Sequence, residues 1–448
     1  MPINWLLSRM GQWADQPAVV WNDTVYDYRW ILRDFEYLRK RLAEEQVSKG
    51  AVVAFEADHS PRMIALLLAL VDNKNVVVPL RSASGSDWGP LKKTAEVGLF
   101  LSLDEDGGFS VERTNIEVEN PLIHQLVQSG EPGLIVFSTG STGTPKGMLH
   151  SFSRLLEKFK VQRRSWCTLS FLPLDHLGGL NTLLYTLSNG GNLVPAGERT
   201  PDSICRLVEK YRVQLLPTSP TFCNLLLVSG AYERHDLSSL ELITYGTEVM
   251  PDSTLSRLHR LFPNVRLQQT YGLSELGVLR SKSKSSDSLW VKVGGDGFET
   301  KIKDGTLWIR ADSAMLGYLN APDPFDAEGW FNTEDQVEVD ESGEYIRILG
   351  RRSEIINVGG EKVYPAEVEN VLQQMANVRD VIVSGEANPI AGNIVVARID
   401  LFEPETLADF KRRMRDFCQS KLARHQIPAK VELSKSAQFN SSFKRLRR

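Results

Sequence analysis

The sequence predicts an α/β fold: a large N-terminal domain of doubly wound sheets carrying a small β-barrel subdomain, then a small α+β C-terminal domain. Three observations predict it. At 448 residues the chain exceeds what one hydrophobic core normally serves. Its first part alternates short apolar runs with amphipathic stretches, the rhythm of strand, helix and strand. After Ser288 that rhythm gives way to short alternating segments punctuated by Gly and Asp.

The elements follow in order. Ala51–Phe55, Arg62–Val71 and Asn75–Leu80 read as strand, helix and strand, and Trp166–Leu172, Gly179–Leu187 and Asn192–Pro195 repeat the pattern. Parallel strands need such crossovers, which cover the sheet on both faces. Between Ser288 and Arg347 the turns Gly294-Gly295-Asp296-Gly297, Lys303-Asp304-Gly305 and Asp340 to Glu344 mark a small antiparallel sheet or barrel. A helix then starts at Pro365, with Glu367 and Glu369 in its first turns, and runs to Met375. Strands at Val378–Val383 and Ile394–Leu401 and a helix at Thr406–Leu422 complete a small unit. The domain boundary is placed near Arg351–Ser353, giving domains 1–351 and 352–448.

Composition excludes several classes. Hydrophobic residues at 42% and charged residues at 24% describe an ordinary globular chain. The longest apolar run, Met63 to Val71, is under half the roughly 20 residues a bilayer needs, so no membrane span is expected. No basic stretch leads into an apolar segment at the start, and the four cysteines lack zinc spacing or close pairing. The expectation is a cytoplasmic protein with reduced thiols. A net charge of −4 argues against nucleic-acid binding. The charge is uneven: 16 Lys and Arg against 12 Asp and Glu lie beyond Arg351. That basic surface suits either an acidic or phosphate-bearing partner or plain solvation.

The segment Phe137-Ser138-Thr139-Gly140-Ser141-Thr142-Gly143-Thr144-Pro145-Lys146-Gly147 follows an apolar strand. Its glycines let backbone N–H groups converge on an anion, while the hydroxyls and one lysine add donors and charge. It is not the P-loop of kinases and GTPases, since Lys146 sits between Pro145 and Gly147 rather than before Ser or Thr. The string resembles the signature of the acyl-adenylate-forming superfamily, which includes acyl-CoA synthetases, firefly luciferase and the adenylation domains of peptide synthetases. Further segments in the family's order extend the resemblance over the whole chain.

The resemblance implies ATP as substrate and a phosphate-binding loop made by Ser138, Thr139, Gly140, Ser141, Thr142, Gly143 and Lys146. Gly246, Thr247 and Glu248 match the adenine-binding turn. In Gln269-Thr270-Tyr271-Gly272-Leu273-Ser274-Glu275, Tyr271 and Gly272 match the adenine face, Ser274 a phosphate donor and Glu275 the Mg²⁺ ligand. Asp335 matches the ribose-binding aspartate, with Glu334 where glycine is usual, and Arg351 matches the ribose and phosphate arginine. His176 matches a histidine bordering the carboxylate and acyl pocket, although a packed core histidine remains the plainer reading. The acid pocket is expected near His176, Thr218 to Phe222, Tyr245 and Gly272.

Segment 350–369 is similar to the family's hinge and thiol-tunnel segment, with Ser353 at the hinge and Gly360 where pantetheine passes. Its Gly-Gly-Glu-x-x-Tyr-Pro-Ala-Glu-x-Glu string looks most like o-succinylbenzoate–CoA ligases. The C-terminal domain is therefore expected to be mobile. Lys444 matches the lysine that contacts the acid and the α-phosphate, with Phe443 in the place of a glycine. The implied activity converts a small-molecule carboxylic acid to acyl-AMP, with Lys444, Glu275 and His176 serving catalysis. The acyl group then passes to a thiol, on coenzyme A or on a carrier protein's phosphopantetheine, since no cysteine of the chain lies in a motif. The competing reading is a catalytically inactive nucleotide-binding protein. A monomer and a homodimer are both open.

Overall fold

The apolar runs become strands where β-branched residues cluster and helices where the run is longer and capped. A computed structural model describes residues 2–81, 88–103, 108–138, 145–389 and 391–434. One seven-stranded sheet has the order Gly317–Tyr318, Lys146–Ser151, Gly133–Ser138, Val76–Leu80, Val52–Glu56, Leu99–Leu103, Phe109–Arg113. Its centre is parallel, and its edges are antiparallel. A second seven-stranded sheet runs Arg266–Gln269, Leu242–Tyr245, Leu215–Thr218, Cys167–Ser170, Asn192–Pro195, Pro17–Trp21, Thr24–Asp27, parallel except for its last pair.

The run Met63–Val71 is a helix, Pro61–Asp72, with Pro61 in its first turn and Ser60 capping the Met63 amide. Every residue from Met63 to Val71 is buried. Together with the helix Leu177–Ser188 it shares one core with strand residues of both sheets, such as Val53, Val136, Val19 and Leu193. A helix apolar on all sides is thus explained by two sheets to fill, at about 1.5–3 kcal/mol per buried aliphatic side chain.

The segment after Gly277 forms a six-stranded antiparallel unit in the order Ser281–Ser283, Val291–Val293, Ile346–Arg351, Phe331–Val339, Thr306–Ala311, Phe298–Lys303. Of the two forms expected, its ladder is that of a sheet. Beyond the short turn Arg352–Glu354 a further sheet combines Glu361–Val363, Ile356–Val358, Gly392–Leu401 and Val378–Asn388, with Lys430–Leu433 pairing Gly392–Leu401. It has its own core, in which Val368 and Leu372 meet Phe410 and Met414. The helix Pro365–Leu372 ends before the expected Met375. Glu369, expected in the first turns of this helix, is 2% exposed and accepts from the Val383 amide at 3.0 Å. Thr406 proves to be the cap of the last helix, Leu407–Cys418, rather than its first residue. All four cysteines are free. Among the described residues no helix is long and apolar enough to cross a membrane.

Candidate active site

Parallel strands end together, so residues just past their C-terminal ends gather at one rim. A cleft of about 2440 Å³ opens there, between the second sheet, the antiparallel sheet and the C-terminal unit. Ser138, Lys146, His176, Gly246, Thr247, Glu248, Tyr271, Gly272, Ser274, Glu275, Asp335 and Arg351 all line it. Thr139, Gly140, Ser141, Thr142, Gly143 and Lys444 lie outside the described residues. Gly360 sits in a hairpin turn between Ile356–Val358 and Glu361–Val363 and does not line the cleft. Ser353, Ser384 and Asn393 line it from the C-terminal side.

Ser138 and Lys146 face each other as the last and first residues of two antiparallel strands. On the Lys146 side Asn320 accepts from the Gly147 amide at 3.0 Å and donates to the Pro145 carbonyl at 2.9 Å. Lys146 Nζ stands 5.0 Å from the centre of the Tyr318 ring, and the Tyr318 hydroxyl donates to Glu275 Oε1 at 2.7 Å. Tyr318 thus ties Lys146 to the Glu275 carboxylate. Burial and the Glu275 charge raise its phenol above the usual tyrosine range.

A second link comes from His150, on the same strand as Lys146. It is fully buried, with Nε2 2.9 Å from the Ser274 carbonyl, and burial pushes its imidazole down to about 4. The turn carrying Ser274 and Glu275 is fixed from the other side by the Met315 amide, which donates to the Glu275 carbonyl at 2.8 Å. Neither Tyr318, Asn320 nor His150 was singled out from the sequence, since each acts through a contact more than a hundred residues away or through a ring orientation.

Tyr271 is 6% exposed and donates its hydroxyl to Asp335 Oδ2 at 2.5 Å. Asp335 is 7% exposed, and Arg351 Nε lies 3.7 Å from its Oδ1. Register explains the last contact, since Asp335 pairs directly with Arg351 across the antiparallel sheet. Burial raises the Asp335 carboxyl above its ordinary range, against the Tyr271 hydrogen bond and the Arg351 charge. Glu334, standing where the family has glycine, takes a left-handed φ of 62°. A non-glycine residue bears the strain of that conformation.

Gly246 follows the strand Leu242–Tyr245 and allows a close approach. A Cβ there would lie 2.5 Å from Thr270 Oγ1 and 2.8 Å from the Thr270 carbonyl oxygen. Thr247 adopts φ 73°, and the Glu248 carboxylate accepts from Thr221 Oγ1 at 2.6 Å, which fixes the turn. His176 is the residue before the helix Leu177–Ser188, facing the cleft beside Gly178.

Not every residue expected around the acid reaches the cleft. Thr218 lines the cleft, but Phe222 and Tyr245 are buried in the core beneath the second sheet, Phe222 against Phe171 at 4.7 Å between ring centres. Period-two alternation explains this: Thr244 and Gly246 face the cleft and Tyr245 the opposite side. The helix after His176 adds Asn181 and Thr182 to the lining of the cleft.

Comparison with known proteins accords with this arrangement. A model of the AMP-binding enzyme family matches residues 90–319, and one of the AMP-binding enzyme C-terminal domain matches residues 367–444. An indoleacetate–CoA ligase of Aromatoleum aromaticum is 30% identical over 95% of this chain and 93% of its own length. A 2-succinylbenzoate–CoA ligase of Bacillus cytotoxicus is 26% identical over 99% of this chain and 97% of its own. The crystal structure of an anthranilate–CoA ligase in complex with anthranoyl-AMP superposes with a TM-score of 0.83 at 18% identity, covering 99% of this chain and 95% of that one, which shows a shared fold. With more than half its length matched by the first model and its remaining unit by the second, the chain belongs to the AMP-binding enzyme family, the acyl-adenylate-forming ligases.

Proposed function

We propose that this protein is an acid–thiol ligase that converts a carboxylic acid and ATP to acyl-AMP and pyrophosphate, then passes the acyl group to coenzyme A. The observation that carries the reading is a single cleft onto which Ser138, Lys146, Glu275 and the Tyr271–Asp335–Arg351 group all open. Both reactants of the first step are anions, so catalysis needs charge neutralisation and in-line placement. Lys146, held over Tyr318, contributes charge at the phosphates, and Ser138 and Ser274 contribute donors. The Glu275 carboxylate fits Mg²⁺, a hard cation held by one or two carboxylates and by phosphate oxygens. Bound there, Mg²⁺ neutralises charge on the polyphosphate. Asp335 has an acceptor oxygen for the ribose hydroxyls while Tyr271 occupies the other. His176 borders the entrance to the acid pocket.

In the first step a carboxylate oxygen bonds to the α-phosphorus as the bond to pyrophosphate breaks. In the second, a thiolate bonds to the acyl carbon and AMP leaves with the electron pair. We assign Lys444 to the first step and Gly360 to the second. Because Gly360 lies outside the cleft here, that assignment requires the unit after Arg351 to rotate. This is the division into domains 1–351 and 352–448, with Ser353 at the hinge. The relatives named CoA ligases support coenzyme A as acceptor over a carrier protein. The test is incubation with ATP, Mg²⁺ and a panel of organic acids, with coenzyme A or a phosphopantetheinylated carrier, scored by mass spectrometry. Acyl-CoA with equimolar AMP is the expected product. Acyl carrier without acyl-CoA would assign the other acceptor, and no AMP with any acid would defeat the proposal.

A further inference from the structure

The hairpin 272–278 carries Ser274 and Glu275 at its tip, with Gly272 paired to Val278 at its base. So short a two-stranded ladder has little stability of its own, so the tip must be held from outside. Four hairpin carbonyls are met by donors far away in the chain. His150 Nε2 lies 2.9 Å from the Ser274 oxygen, and the Met315 amide 2.8 Å from that of Glu275. The Ser313 hydroxyl lies 2.8 Å from the Leu276 oxygen, and Lys158 Nζ 2.7 Å from that of Val278. The first three fix the tip, from the strand Lys146–Ser151 and the segment 313–315. Lys158 holds the base, and the adenylation chemistry above gives it no part.

Lys158 follows the helix Phe152–Glu157 and stands half-buried on the cleft wall. Its ammonium also donates to Asn181 Oδ1 at 2.5 Å, on the helix Leu177–Ser188, and lies 5.0 Å from the centre of the Phe159 ring. No Asp or Glu among the described residues pairs with it. Desolvation, with repulsion from Arg163 and Arg280, pushes it down to about 7. A cation so placed is costly to keep, and a methionine would fill similar space without that penalty. What a methionine lacks is donors. The ammonium joins the hairpin to the helix that His176 precedes.

We propose that Lys158 is a positioning residue for the adenylation step: it ties the base of the Glu275 hairpin to the helix after His176, and so fixes where the Ser274 hydroxyl and the Glu275 carboxylate stand against the nucleotide and its metal. The assignment rests on the ligase reading above. Untied, the hairpin keeps the bonds at its tip and tilts about them. A shift of about 1 Å is enough to cost on the order of a hundredfold where one carboxylate must meet a metal that phosphate oxygens also hold.

The experiment reads binding first. ATP affinity is measured by isothermal titration calorimetry with and without Mg²⁺, in wild type, Lys158→Met, Lys158→Arg, Glu275→Gln and the double variant of Lys158→Met with Glu275→Gln. Mg²⁺ should tighten ATP binding to wild type. Lys158→Met should lose about tenfold to a hundredfold of that tightening, the range of one hydrogen bond to a charged group, while Mg²⁺-free affinity holds. Lys158→Arg, which keeps the donors, should recover part of it. On the Glu275→Gln background Lys158→Met should cost little more, because residues that act through one another are not additive. In turnover Lys158→Met should slow pyrophosphate release with every acid alike and spare thiol transfer from preformed acyl-adenylate. Unchanged tightening in Lys158→Met, or a loss that is the same on both backgrounds, would overturn the inference and leave the ligase reading standing. Equal losses in both half-reactions beside a lowered Tm would show a packing role and also overturn it. Should Lys158→Met fail to fold, Asn181→Leu, which cuts the other end of the tie, decides by the same cycle. Wild type whose ATP affinity ignores Mg²⁺ would remove the metal assignment and this inference together. Wild type that makes AMP from no acid would defeat the ligase reading, and this inference with it.

Discussion

Replacing Tyr271 with Phe removes one oxygen and leaves the ring, so it isolates the hydrogen bond to Asp335. Both partners are more than nine-tenths buried, and the donor lies 2.5 Å from an acceptor carboxylate. A hydrogen bond to a charged group contributes about 1.5–3 kcal/mol, and the orphaned oxygen has no solvent to replace it. At about 1.4 kcal/mol per decade, a loss of roughly 2 kcal/mol is a factor near thirty. The Asp335 carboxyl, already raised by burial, rises further without its donor. Tyr271→Phe should therefore raise the KM for ATP about thirtyfold with kcat changed far less, and should narrow the preference for ATP over 2′-deoxy-ATP. The assay is pyrophosphate release at varied nucleotide, with differential scanning calorimetry as a stability control. An unchanged KM and an unchanged deoxy preference, beside a lowered Tm, would refute the link from Tyr271 through Asp335 to the ribose and leave only a packing role.

Other perturbations test separate parts. Glu334→Gly relieves a left-handed φ of 62°, at the cost of glycine's greater chain entropy, so chemical denaturation should find it neutral to about 1 kcal/mol more stable; a clear loss would mean that the Glu334 side chain matters. Gly246→Ala forces a Cβ within 2.8 Å of the Thr270 carbonyl oxygen, and the displaced turn should lower kcat/KM for ATP by roughly a hundredfold, an effect that a nucleotide titration would detect. His150 titrates near 6.5 when unfolded and at about 4 when folded, so its contribution is complete above 6.5 and lost as pH falls through 4, on the order of 3 kcal/mol; Tm against pH should be flatter over that window in His150→Gln than in wild type. Lys444→Ala should slow adenylation by about 10²–10³ while sparing thiol transfer from preformed acyl-adenylate, and equal losses in both half-reactions would remove Lys444 from its assigned step.

What could be read beforehand was local, and what could not was long-range. The strand–helix alternation around Arg62–Val71 and Gly179–Leu187 predicted real elements because apolar period and capping residues are properties of neighbouring positions. The Tyr271 and Glu275 segment was legible for the same reason, since one short string carries both side chains. The tie from Lys146 through Tyr318 to Glu275 was not, because it joins two strands and a turn distant in sequence. Tyr245 was expected in the acid pocket, and the strand's alternation turned it inward while Thr244 took the exposed face. Glu369 looked like a helix-start charge, and tertiary structure gave it the Val383 amide to bind.

On the proposed mechanism a carboxylate displaces pyrophosphate from ATP inside this cleft, before any thiol takes part. Exchange of labelled pyrophosphate into ATP, with Mg²⁺ and acid present and every thiol withheld, measures that step alone. Exchange should depend on the acid and collapse in Glu275→Gln. Exchange that no acid in a broad panel elicits, or that Glu275→Gln leaves intact, would contradict it.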